Sequence, residues 1–314
     1  MKTREVKLGE VANVKGGKRI PKGIGLINIP NGHPYIRVRD LNNKRLLELD
    51  NSYEYVDNET QKVISKYTVK TGDVVLSIVG TIGLVAIVGR TLDGANLTEN
   101  CVKLSSFHGV NRDFLYYYLR SDCGQQEIRC GTVGAVQAKL PIKNIQNIAI
   151  NLPDYTTQER IASLLLSIDR KIELNQKIND NLEQQAVALF KSWFVDFSLF
   201  GGTVPENWED TTLENITTLI TRGIAPKYSD NSDQTVVNQK CIRNHTIDLS
   251  LARTHTPKAI NEKWLKFGDL LINSTGDGTL GRVAQVWFAP KALTVDSHVT
   301  IVRPAREELI FYIG

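Results

Sequence analysis

Lys70-Thr71-Gly72-Asp73-Val74-Val75-Leu76 returns near the other end of the chain as Lys266-Phe267-Gly268-Asp269-Leu270-Leu271-Ile272. The match continues outward. Ser77-Ile78-Val79-Gly80-Thr81-Ile82-Gly83 meets Asn273-Ser274-Thr275-Gly276-Asp277-Gly278-Thr279-Leu280-Gly281, where the second copy carries two extra residues. Leu84-Val85-Ala86 then meets Arg282-Val283-Ala284, and Asn100-Cys101-Val102 meets His298-Val299-Thr300. Upstream, Leu8-Gly9-Glu10-Val11 resembles Leu213-Glu214-Asn215-Ile216, and Pro21 matches Pro226. An ordered series of matches with small shifts between them is the mark of a duplicated domain with loop insertions. In each copy a short apolar run follows the Gly-Asp turn, and a β-branched or aromatic run follows the next glycines. Strand, glycine-rich turn, strand predicts a hairpin. The glycines permit tight turns with positive φ, or they let the backbone approach a phosphate or a groove; the sequence leaves both open. Gly80-Thr81-Ile82-Gly83 is not a Walker loop, because no Gly-Lys-Ser/Thr follows.

A long helix separates the copies. Leu152-Pro153-Asp154-Tyr155 breaks the chain, and Thr156-Thr157-Gln158-Glu159 predicts a capping box, with Thr156 as cap and Glu159 reaching back. Seam positions then alternate in steps of four and three through Ile161, Leu165, Ile168, Ile172, Asn175, Asn179, Leu182, Ala186, Leu189 and Trp193, with Leu164, Phe190 and Phe194 widening the stripe. That period is the seam of a coiled coil. Gly201-Gly202 predicts the stop, giving a rod of roughly 58 Å. Asn175 and Asn179 leave the middle of the seam wet, or fix register and partner at some cost in stability. An isolated helix with this stripe needs a second helix beside it.

The chain has 314 residues, 41% hydrophobic and 23% charged, which allows about two domains and excludes disordered, collagen-like and disulfide-scaffold chains. No apolar run reaches the roughly 20 residues that span a bilayer, and the N-terminus lacks a signal-peptide core. Cys101, Cys123, Cys130 and Cys241 form no zinc-type spacing and read as reduced thiols of a cytoplasmic protein. The net charge of +4 is uneven: residues 1–153 carry +7, residues 154–198 carry −2 and the rest −1. The first part is a candidate polyanion binder.

Two similar domains around a capped coiled-coil helix, the first of them basic, resemble the specificity subunit of a type I restriction-modification enzyme. Leu8-Gly9-Glu10-Val11 with Gly16-Gly17-Lys18-Arg19-Ile20-Pro21 resembles the segment that opens the family's domains, and Tyr35-Ile36-Arg37-Val38-Arg39-Asp40-Leu41 resembles its next strand. Gly72-Asp73-Val74-Val75-Leu76 matches its most regular stretch; Gln158-Glu159-Arg160-Ile161 and Phe194-Val195-Asp196-Phe197 match its spacer. Each motif is weak alone, and their order is specific. The resemblance implies an α+β fold with target recognition domains at 1–153 and 201–314 and a spacer helix at 154–200. It implies that each domain reads one half of a split sequence in double-stranded DNA, and that the helix fixes the separation and docks DNA adenine methyltransferase subunits. It also implies a restriction translocase/nuclease partner. S-adenosylmethionine, ATP and Mg would belong to the partner subunits, with no cofactor, metal or catalytic residue in this chain. Independently of the resemblance, no adenine-methyltransferase segment, dinucleotide fingerprint or nucleophile elbow occurs. The competing reading is a non-catalytic coiled-coil adaptor with protein-binding ends.

Phosphates are met by Lys and Arg, and base edges by Arg, Lys, Asn, Gln, Ser and Thr. In the first domain the candidates are Lys15, Lys18, Arg19 and Lys22 in a glycine-flexed loop, and Arg37 and Arg39 as alternate residues of one strand face. Lys44, Arg45, Thr81, Thr98 and Asn100 complete the set. In the second, Arg222 and Lys227 match the cationic loop, and Asn238, Gln239, Lys240, Arg243 and Asn244 stand where Arg37 to Arg39 stood. Different residues at matched places imply an asymmetric target. The second copy stops, in Phe311-Tyr312-Ile313-Gly314, near the counterpart of Leu119. The expectation is therefore a truncated chain whose helix pairs with a second copy of itself or with a partner's helix.

Overall fold

The computed structural model describes residues 3–41, 44–134, 137–230 and 232–313, so Gly314 of the terminal comparison lies outside the described residues. The chain forms two compact units, Met1–Phe190 and Lys191–Gly314, so most of the long helix goes with the first unit.

In the first unit a five-stranded sheet runs in the order Asn13–Gly16, Cys101–Ser105, Val74–Ser77, Val85–Val88, Leu46–Leu47. The expected hairpin is present, with Val74 opposite Ile87 and Leu76 opposite Val85. Strand Val74–Ser77 is buried at every position, because both sheet faces are covered. Val74 and Leu76 face a core shared with Phe114, Leu115 and Leu119 of helix Arg112–Arg120, Ile128 of helix Asp122–Gly131, and Ile145 of helix Ile142–Gln146. Val75 faces a second core with Ile36, Leu47 and Leu97. There a small sheet lies in the order Glu54–Tyr55, Pro34–Ile36, Asn96–Leu97. Strand Thr3–Lys7 pairs with Ala149–Pro153 and closes the unit.

The second unit repeats this frame. Strands Thr217–Arg222, Val299–Pro304, Leu270–Asn273 and Val283–Gln285 follow the same order, and a small sheet runs Arg253–Thr254, Thr235–Val237, Leu293–Val295. The duplication read from the Gly-Asp segments is therefore a duplication of topology. Its register is one residue off the sequence match in one place. A bulge between Thr217 and Leu219 takes up an extra residue, so Gly223 stands where Gly17 stands. Gly17 N–H donates to Cys101 O and Lys18 N–H to Leu97 O; Gly223 N–H donates to Val299 O and Ile224 N–H to Val295 O.

The long helix spans Tyr155–Phe194. Its cap is Asp154, not Thr156. The Asp154 carboxylate accepts from the Thr157 amide at 2.9 Å and the Thr157 hydroxyl at 2.7 Å, satisfying a first-turn donor that Thr156 and Glu159 were expected to satisfy. These bonds hold Asp154 below the usual carboxylate range. The helix also ends before Gly201-Gly202. The Asp196 amide folds back to Lys191 O, Phe197 takes a left-handed conformation at φ 49°, and its ring meets Trp208 at 5.9 Å. Aromatic packing of Phe194, Phe197 and Phe200 around Trp208 turns the chain where no glycine does. The expected seam serves two surfaces. Ile161 packs on the first unit's core beside buried Ala162, and Leu165 is half-buried. Ile168, Ile172, Leu182, Leu189, Phe190 and Trp193 are exposed, as are Asn175, Asn179 and Ala186.

Candidate nucleic-acid interface

The site grows from the glycine crossing. A Cβ on Gly17 would sit 2.1 Å from Thr98 O, and one on Gly223 2.1 Å from Val295 O, so only glycine lets the two backbones cross there. In the first unit the crossing brings Arg19, Lys22, Arg37, Arg39, Thr98 and Asn100 to one cleft of about 710 Å³, with Tyr35 and Glu99 in its wall. These are six of the eleven residues expected from sequence in that unit. Lys18 leans over the Tyr67 ring, 5.6 Å from its centroid, and its carbonyl accepts from the Tyr35 hydroxyl at 2.8 Å.

Carboxylates set the cations in place. Arg19 Nε lies 3.0 Å from Glu99 Oε1. Arg37 and Arg39 do not alternate on a strand, because the strand ends at Ile36 and Val38–Leu41 is a 3₁₀ turn. The turn nevertheless brings both guanidinium groups to Glu54, with Arg39 Nη2 2.5 Å from Glu54 Oε2. The turn is closed by Asp40, whose carboxylate accepts from the Arg37 amide at 2.7 Å. Burial pushes Asp40 up to about 6, against the pull of Arg39. Arg37 Nε and Nη2 are buried without a hydrogen-bond partner, and Nε faces Asp40 Oδ2 at 3.8 Å.

Other expected residues lie elsewhere. Lys15 is exposed on an outer strand opposite Lys103, and neither it nor Thr81 lines the cleft. Thr81 instead gives its carbonyl to the Ser77 hydroxyl at 2.6 Å. Lys44 is held by Asp50 at 2.7 Å, which lowers Asp50 to about 2. Arg45 is turned to the long helix, 3.1 Å from Glu173. A basic turn reads the same whether it meets a phosphate or a carboxylate from far along the chain, so sequence could not separate these cases.

In the second unit Arg222 donates to Ser297 O at 2.8 Å. Asn238 is tied to Leu251 O and to the Lys240 amide. Gln239 accepts from Thr279 at 2.9 Å, and its carbonyl receives the Asn273 amide group at 3.0 Å, which seats it on the glycine loop. Lys227, Lys240, Arg243 and Asn244 are exposed. The register at the crossing pairs Lys18 and Arg19 with Ile224 and Ala225, so the cationic loop of the first unit has an apolar counterpart. Sequence reasoning left out Glu54, Glu99, Thr275 and His298. Thr275 Oγ1 lies 2.5 Å from His298 Nδ1, and the His298 amide donates to Asp296 at 2.9 Å. Asp296 is buried, which raises its pKa. The signal for His298 was present, since the repeat places it opposite Asn100; Glu54 had none. The arrangement offers hydrogen-bond donors and cations on a rigid frame. Among the described residues no three His, Cys, Asp or Glu side chains gather to hold a metal ion, and no helix is long and apolar enough to cross a membrane.

The chain is 24% identical over 290 residues to the specificity subunit of the type I restriction enzyme MjaIX of Methanocaldococcus jannaschii, covering 86% of this chain and 65% of that one. Over 71 residues it is 45% identical to the HindI specificity subunit of Haemophilus influenzae, 23% of this chain and 15% of that protein. It thus spans less than two thirds of the length of either relative. The S subunit of the type I restriction-modification system of M. genitalium shares the fold, with a TM-score of 0.58 at 15% identity, covering 98% of this chain and 74% of that one. The family described as type I restriction modification DNA specificity domain matches residues 2–184, more than half of the chain, and the protein belongs to that family.

Proposed function

We propose that the chain is the DNA sequence-specificity subunit of a type I restriction-modification system. The first unit reads one half of a split target through the cleft of Arg19, Lys22, Arg37, Arg39 and Asn100. The second unit reads the other half through Asn238, Gln239, Lys240 and His298. The observation that carries this reading is one frame bearing two polar surfaces. Identical backbone hydrogen bonds at Gly17 and Gly223 hold loops whose side chains differ. Guanidinium groups suit guanine and carboxamides suit adenine, so the two halves differ in sequence. The exposed helix face from Ile168 to Leu189 docks adenine methyltransferase subunits, with a second copy of the chain as the other candidate occupant. Methyl transfer from S-adenosylmethionine, and ATP- and Mg-dependent restriction, then belong to partners.

Retention of the purified chain on double-stranded DNA tests the proposal. Binding at low salt falls linearly in log–log terms as salt rises, because phosphate contacts release counterions. A protein-binding adaptor gives no DNA retention and salt-insensitive partner binding. Methyl transfer by the chain freed of partners refutes the assignment of chemistry to other subunits.

A further inference from the structure

Arg45, expected at DNA, grips the long helix instead. Its Nε lies 3.1 Å from Glu173 Oε1 and 4.0 Å from Asp169 Oδ2, and its side chain is 13% exposed. Asp169 also accepts from the Tyr117 hydroxyl at 2.7 Å. The loop before strand Leu46–Leu47 and helix Arg112–Arg120 therefore hold the same stretch of the long helix from two sides. A first hold lies nearer the helix start. Buried Gln158 donates to Pro153 O and Gly109 O and accepts from the Asn111 amide. Between Leu174 and Phe190 every residue is exposed.

Two holds on a rod define its direction. With Gln158 as pivot, Glu173 is about 22 Å along the rod and Phe190 about 48 Å. Play of 1 Å at the second hold thus becomes roughly 2 Å at Phe190. One base pair advances the DNA axis by about 3.4 Å, so loosening the second hold by roughly 1.5 Å is enough to admit a neighbouring gap length. Arg45 also suits the place chemically. Its Nε donates to Glu173 and lies within ion-pair distance of Asp169 one helical turn away, and a guanidinium has further donors for such a pair of carboxylates.

We propose that Arg45 is a positioning residue: through Asp169 and Glu173 it sets the direction in which the long helix leaves the first unit, and so the gap between half-sites that the chain accepts. The proposal rests on the reading of the chain as a split-target specificity subunit. The full chain, alone and with its methyltransferase, is tested on DNAs whose half-sites are separated by the optimal gap or by one base pair more or less. Arg45→Ala is expected to lose severalfold of the gap discrimination while keeping its affinity for DNA carrying a single half-site. Arg45→Glu loses it too, and adding Glu173→Arg restores it, which a general loss of packing does not allow. In parallel, hydrogen exchange of amides 165–176 rises in Arg45→Ala while amides 158–162 stay protected. Wild-type gap discrimination in Arg45→Ala, or failure of the charge swap to restore it with single half-site binding intact, overturns the proposal. Unchanged exchange over 165–176 overturns the clamp itself. Absence of binding to any DNA with the exchange difference present counts against the specificity reading and leaves the clamp standing.

Discussion

The first and second units share a sheet, and they differ in what lies on its outer face. In the first, Leu76 is fully buried under helices Arg112–Arg120 and Asp122–Gly131. In the second, Ile272 occupies the same place in the repeat and is half-buried, and helix Ile310–Ile313 is the described helix nearest that face in sequence. The inner face is alike in both. Val75 and Leu271 are fully buried in equivalent cores against Ile36 and Val237. The inner core is thus common to both units, and in the first the outer face is packed against helices Arg112–Arg120 and Asp122–Gly131.

The sharpest test of that difference is a matched pair of truncations. Leu76→Ala opens a cavity between sheet and helices and is expected to cost about 2–5 kcal/mol. Ile272→Ala opens onto a half-covered face and is expected to cost less than half as much. Denaturant unfolding of the two variants reads this directly; equal losses break the comparison.

A smaller effect separates the units by pH. Asp40 is raised to about 6 by burial, and its counterpart in the repeat is the uncharged Cys241, buried with a raised thiol pKa. A carboxyl raised in the folded state binds more protons folded than unfolded. Its stabilising contribution is fully present below about pH 4 and is lost as pH rises through about 6, on the order of 1–3 kcal/mol. Asp40→Asn is expected to flatten the stability of the first unit between pH 4 and 6. The second unit keeps its own dependence, of the same sign, from Asp296. Fluorescence-detected unfolding across that range measures both.

The smallest expected effect is on salt. Lys18 and Arg19 are replaced by Ile224 and Ala225 at the second crossing. Lys18→Ala with Arg19→Ala is expected to weaken all DNA sequences alike and to flatten the log–log salt slope by about one unit per lost phosphate contact. Unaltered binding places that loop away from DNA.

What the sequence made legible follows from which signals are local. The hairpin at Val74 to Val88 and the helix behind the spacing from Ile168 to Leu189 are written in local patterns, and both elements form where they were read. The cap at Asp154, the helix end at Phe197 and the bulge after Thr217 depend on which of several adequate partners wins, and neighbours in space decide that. Arg45 shows the same limit among the expected site residues. Its partners lie 124 and 128 positions away, at Asp169 and Glu173, and no window of sequence contains all three. Arg37 and Arg39 were placed together for the wrong local reason, a strand, and meet through Glu54 for another.

The glycine crossing carries a consequence for divergence. The frame at Gly17 and Gly223 is held by main-chain donors and acceptors, which every residue but proline supplies. The loops it presents can therefore exchange side chains at little cost to folding. If the two units read DNA as proposed, a lineage could reach new targets by substituting residues such as Arg19, Arg39, Lys240 or His298 one at a time, whereas substitution of either glycine, whose Cβ would lie 2.1 Å from a backbone oxygen, would remove a whole half of the recognised sequence in a single step.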